Sequence, residues 1–160
     1  MEYRNDFEVE FVKRTIDLIN ALSDSTNLEV TLLINCLYGL IVIPTEKRYP
    51  SGKYRDYKKA CINHINKYAS CVKPNNNNNS NNSSEQLIKC MKNALSHLHI
   101  EIASDLGQIA MVKFGDKGKT DLKYHTELEF TVENLKKYAL DIAKSYLEII
   151  LGQNPQQIDK

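Results

Sequence analysis

Phe11, Val12, Ile16, Ile19 and Leu22 recur at helical spacing and predict a first helix that Asn5 or Asp6 caps and that ends near Leu22. Ser-Asp-Ser-Thr-Asn at 23–27 reads as a turn. Residues 28–43 are apolar nearly all round, as a helix packed on several sides must be, and Pro44 is expected to end that helix. A loop with Tyr49, Pro50, Ser51 and Gly52 leads to a third helix over about 55–72, with Tyr57, Cys61, Ile65, Tyr68 and Val72 turned inward. Ser83 with Gln86 three residues on resembles a capping box and opens a fourth helix reaching about Leu98.

The pattern then changes to period two. Residues 99–103, 108–114 and 123–130 read as short strands, the last two joined by the turn-rich Gly-Asp-Lys-Gly-Lys at 115–119. Thr131 caps a final helix to about Leu151, striped by Leu135, Tyr138, Ile142, Tyr146 and Ile149. The expected fold is therefore mainly α. It is a bundle of about five helices with a small antiparallel β insertion between the last two, one domain over residues 1–160. The Asn-rich stretch at 74–84 is too polar to join a core and is expected to be a flexible loop within that domain.

Composition bounds the class. With 160 residues, 42% hydrophobic and 26% charged, the chain can bury roughly 70% of its unfolded surface and is not disordered as a whole. Cys36, Cys61, Cys71 and Cys90 are scattered and form no C-x-x-C pair, which fits reduced thiols and a cytoplasmic setting. The apolar stretch at 28–43 is interrupted by Glu29, Thr31 and Asn35 and reads as a core helix, so no membrane association is expected. The net charge of +1 hides an uneven distribution. Residues 1–10 hold four acids and one Arg, whereas residues 47–59 hold six Lys or Arg against one Asp. Within that basic run Lys47, Arg48, Lys53 and Arg55 alternate with tyrosines, the mixture that binds single-stranded RNA by phosphate attraction and base stacking.

The candidate chemistry lies in Lys92-Asn93-Ala94-Leu95-Ser96-His97, near the end of the fourth helix. Asn93 and His97 are four apart and share a face. Lys92 points about 140° from His97 on an ideal helix, although its side chain is long. An imidazole for general acid–base work, a cation for a phosphate and an orienting amide suffice for metal-independent RNA cleavage by the 2′-OH. His97 and His99 with Cys90 lack the second close pair that a zinc site needs, and no cofactor or metal is expected. His64 and His125 read as surface residues.

Lys-Asn-Ala-Leu-Ser-His resembles the signature of the HEPN superfamily: Arg, four to six residues, then His, often with a polar residue directly after the Arg. FVKRTIDLI, EVTLLINCLYGLIVIP, HIEIASDLGQIAMVKFGD and FTVENLKKYALDIA are similar, in order, to blocks of a bacterial HEPN nuclease subgroup. The resemblance implies a HEPN-like helical bundle and a homodimer in which two motif helices meet in a shared cleft. It also implies a metal-independent endoribonuclease of a toxin–antitoxin or antiviral-defence system, in which a cognate antitoxin protein would be a partner. His97 would be the general acid/base, Lys92 the phosphate clamp and Asn93 the orienting amide. Lys92 departs from the motif Arg: Arg grips a phosphate with a planar fork, Lys with a rotatable point charge. The alternative expectation is a weakened or inactive module that binds nucleic acid or a partner protein.

Overall fold

Val12, Ile16 and Ile19 of the first helix and Val30, Leu33, Leu37, Leu40 and Ile41 of the second are all buried in one core. The computed structural model describes residues 7–22, 27–47, 49–73, 83–117 and 124–154. Its helices are α1 (Phe7–Ala21), α2 (Asn27–Leu37), α3 (Ser51–Tyr68), α4 (Ser83–His97) and α5 (Val132–Ser145). A π turn at Tyr38–Val42 and a last α turn at Ile43–Glu46 prolong α2, and a π turn at Tyr146–Ile150 prolongs α5. Thr131 caps α5 as expected, its Oγ1 accepting from the Asn134 backbone N–H at 3.1 Å. Asn5, Asp6, the turn at 23–26, Arg48, the tract at 74–82 and residues 118–119 lie outside the described residues.

The expectation of a helical bundle with a small β insertion is corrected by a four-stranded antiparallel sheet. Its strands are β1 (Cys71–Lys73), β2 (Ile100–Asp105), β3 (Gln108–Lys117) and β4 (Tyr124–Thr131), in the order β1-β4-β3-β2. The sheet is a wall of the core rather than an appendage: Val112, Phe114, Leu128 and Phe130 are wholly buried beneath α4 and α5. One strand, β1, comes from before the Asn-rich tract, where the third helix was expected to run on to residue 72. That helix stops at Tyr68 because Ala69 turns extended and Ser70 N–H donates to the Glu129 carbonyl at 2.7 Å, which starts the pairing of Val72 with Leu128. Gly115 and Asp116 belong to β3, not to a turn, and Ser83 and Ser84 belong to α4, not to the loop.

Pro44 does not end the second helix; it sits buried inside the last α turn. Proline cannot donate to the carbonyl four residues back, which is that of Leu40. The hydroxyl of buried Tyr57 donates to that carbonyl instead, at 2.7 Å, while Ile43 N–H reaches Tyr38 O five residues back. Gly39 lets α1 come close at the same turn: a Cβ there would lie 2.7 Å from Cζ of Phe11. The stretch Glu29–Glu46 is long and apolar enough to cross a membrane, and here it is the central helix of the core, with Glu29 buried near Lys136 at 3.9 Å.

Candidate functional site

Leu87, Met91, Ala94 and Leu95 bury one face of α4 and so decide where its polar residues point. His97 is the last residue of α4 and is exposed, its ring centroid 5.7 Å from that of His99. Leu98 then takes a φ of +52°, and His99 N–H closes back on the Ala94 carbonyl at 2.9 Å. This is the left-handed helix ending that Gly ordinarily supplies. Leu98 adopts it with its side chain 75% exposed, so the chain turns into β2 within three residues of the motif histidine.

Asn93 is half-buried, and its Nδ2 donates to Asp116 Oδ1 of β3 at 3.1 Å, which fixes the amide and leaves its carbonyl oxygen to accept. Lys92 faces the other way. Its Nζ lies 3.3 Å from Glu46 Oε1 at the end of the α2 run, beside an open cleft of about 500 Å³ between α3 and α4. Thus Asn93 and His97 share a side of α4 as expected, whereas Lys92 and His97 of one chain do not converge.

The basic run at 47–59 is not one surface. Lys47 and Tyr49 go to the Glu8 carboxylate, which Tyr146 also reaches. Burial acts to raise the pKa of Glu8, but the bonds from Lys47, Tyr146 and Tyr49 outweigh it and leave it below its ordinary value. Lys53 Nζ donates to the Ile150 carbonyl at 3.2 Å, closing the π turn after α5. Arg55 is exposed and 3.7 Å from Asp56. Lys58, one turn after Tyr54, pairs with Glu85 across the cleft at 2.8 Å.

His64 was expected at the surface and is instead half-buried between α3 and α5. Its Nδ1 is 3.6 Å from Asp141 Oδ2 and its Nε2 is 3.4 Å from Ser145 Oγ, with Tyr68 stacked alongside. Asp141 also accepts from the Tyr68 hydroxyl at 2.6 Å and from Lys67 at 3.3 Å. Tyr68 stands one turn on along α3, but nothing near His64 in sequence signals Asp141 and Ser145, which arrive from α5, 77 and 81 positions later.

Burial lowers the His64 pKa more than the Asp141 charge raises it. For Asp141, burial raises the pKa, but the bonds from Tyr68 and Lys67 lower it further. Both groups therefore bind protons less readily folded than unfolded, and stability falls as pH falls. The His64 contribution is complete above about pH 6.5 and is lost as pH drops through its lower folded value; that of Asp141 is complete above about pH 4 and is lost below. The urea midpoint should decline from pH 7 to pH 5, and His64→Gln should flatten that decline.

All four cysteines are free thiols; burial pushes those of Cys61 and Cys90 up to about 12. Among the described residues no three His, Cys, Asp or Glu side chains cluster as metal ligands do. The chain belongs to the HEPN pEK499 p136 family, whose sequence model matches residues 1–153. No curated protein and no solved structure gives a significant match.

Proposed function

We propose that this HEPN module is a metal-independent endoribonuclease. The observation that carries the reading is the exposed imidazole of His97 ending α4, one turn beyond an amide that Asp116 holds in place. His97 takes the proton of a ribose 2′-OH as the oxygen attacks the adjoining phosphorus. The bond to the 5′-oxygen breaks, that oxygen takes a proton from solvent, and a cyclic phosphate and a 5′-hydroxyl remain. Asn93 orients the imidazole or the hydroxyl through its free carbonyl oxygen, and Lys92 neutralises the phosphate. Because Lys92 and His97 of one chain lie on different sides of α4, the reading places them together by pairing two copies about a two-fold axis at the ends of α4. A cytoplasmic toxin or antiviral role, held in check by a cognate inhibitor protein, is the setting this activity suits.

Labelled RNA incubated with purified protein in EDTA tests the reading. Fragments ending in cyclic phosphate support it; intact RNA that stays bound overturns it. Lys92→Arg should raise the cleavage rate about tenfold, the worth of one further charge-assisted bond to the phosphate. A second reading, a non-catalytic module that binds nucleic acid, is favoured by the hold of Glu46 on Lys92. Bound, uncut RNA with both the natural protein and Lys92→Arg would select it.

A further inference from the structure

We propose that the cleft between α3 and α4 is a subsite for one unpaired nucleoside phosphate. The proposal rests on the ribonuclease reading for the source of that group, a nucleotide of the RNA strand beside the phosphate held by Lys92. The cleft is about 500 Å³, within the roughly 300–1,000 Å³ of small-ligand sites. Tyr54 and Lys58 stand a turn apart on α3, facing Gln86, Lys89 and Lys92 of α4 across a floor that includes Ile88. Three ammonium groups suit a phosphate, and the half-buried ring of Tyr54 offers a stacking face.

The amide of Gln86 separates a nucleoside phosphate from a bare anion. Its Oε1 is buried and has no hydrogen-bond partner among the described residues. A buried acceptor left unpaired is costly, and because Gln86 lines the cleft a turn of its side chain would present that oxygen to a base amine or ribose hydroxyl. Inorganic phosphate or an acidic side chain would engage the lysines and leave both Gln86 and Tyr54 idle. A base already paired in a duplex has no free face for Tyr54.

Glu85 and Glu46 pair with Lys58 and Lys92 in the empty cleft but do not close it. Their side chains are 65% and 71% exposed, against 27% and 35% for the two lysines. Exposed pairs of this kind contribute little, so the carboxylates can swing into water while the lysines stay at the cleft. Lys89 is exposed, with no ion pair among the described residues.

The test is fluorescence anisotropy of a labelled, unstructured, short oligoribonucleotide on the His97→Ala protein, which keeps the strand intact. Tyr54→Ala and Lys89→Glu should each weaken binding about tenfold, with circular dichroism unchanged in both and melting unchanged in Lys89→Glu. The slope of log affinity against log salt should lessen by about 0.7 in Lys89→Ala. AMP should displace the strand where the same concentration of inorganic phosphate does not. Unchanged affinity in both Tyr54→Ala and Lys89→Glu, or equal displacement by phosphate and AMP, overturns the subsite. AMP binding as tight as the oligoribonucleotide overturns the assignment to a strand. Failure here is distinct from failure of the nuclease reading. Cleavage and binding both indifferent to Tyr54→Ala sink only the subsite, whereas Tyr54-dependent binding by a protein that cuts no RNA sinks only the nuclease.

Discussion

His97→Ala should lower the rate of RNA cleavage by about 10²- to 10⁴-fold, the usual contribution of a positioned general acid or base. That is about 3–5 kcal/mol on the barrier. The substitution should cost the fold almost nothing, since the side chain is exposed at a helix end and the stripe that seats α4 is formed by Leu87, Met91, Ala94 and Leu95. A variant with unaltered melting, unaltered RNA affinity and lost cleavage is therefore the expected result. The measurement is single-turnover cleavage of end-labelled RNA in EDTA, with product ends identified. A His97→Ala protein that cuts as fast as the natural one removes His97 from the chemistry.

Tyr57→Phe should destabilise the protein by about 1–3 kcal/mol, read from the urea midpoint at unchanged slope. The ring would stay, with its edge-on contact to Tyr146 at 5.3 Å between centroids, so packing changes little. What is lost is the donor to the Leu40 carbonyl, which the missing N–H of Pro44 cannot replace. Pro44→Ala supplies an N–H at that position, and the double variant should recover part of the loss. Such coupling between residues 57 and 44 separates an unpaired carbonyl from a general loosening of the core. A midpoint for Tyr57→Phe equal to that of the natural protein would show that the carbonyl finds another donor.

The helices were readable because each buries a stripe that recurs with their own period. Tyr57, Cys61 and Ile65 on α3, and Leu135, Tyr138 and Ile142 on α5, are buried as that spacing requires. The strands of the β2–β3–β4 unit were readable from alternation, to within a few residues at their ends. β1 was not, because three residues carry no period; the only local sign is Lys73 standing before Pro74. At the site, the motif showed His97 and Asn93 on one face but not Asp116, which reaches Asn93 through sheet pairing. A charge count over the basic run takes no account of where each side chain goes. Lys47 and Lys53 serve contacts with α1 and the end of the α5 run, while Lys58 reaches the cleft. The spacing of Tyr54 with Lys58, and of Lys89 with Lys92, was available as a signal, but only the packing of α3 on α4 turns two helix faces into one cleft.

The π turn at Tyr38–Val42 has a consequence for comparing this chain with its relatives. A wider turn holds about one residue more than an α turn, so everything after it is rotated by about 100° relative to an uninterrupted helix. Glu46, four residues past that turn, meets Lys92 in the register that the extra step sets. A relative lacking it could match this chain residue for residue up to the turn and still present a different side chain to the motif lysine. Charge next to the motif can thus be exchanged by inserting or deleting a single residue more than two helical turns of sequence before the cleft is reached from α3, with no substitution in the motif itself.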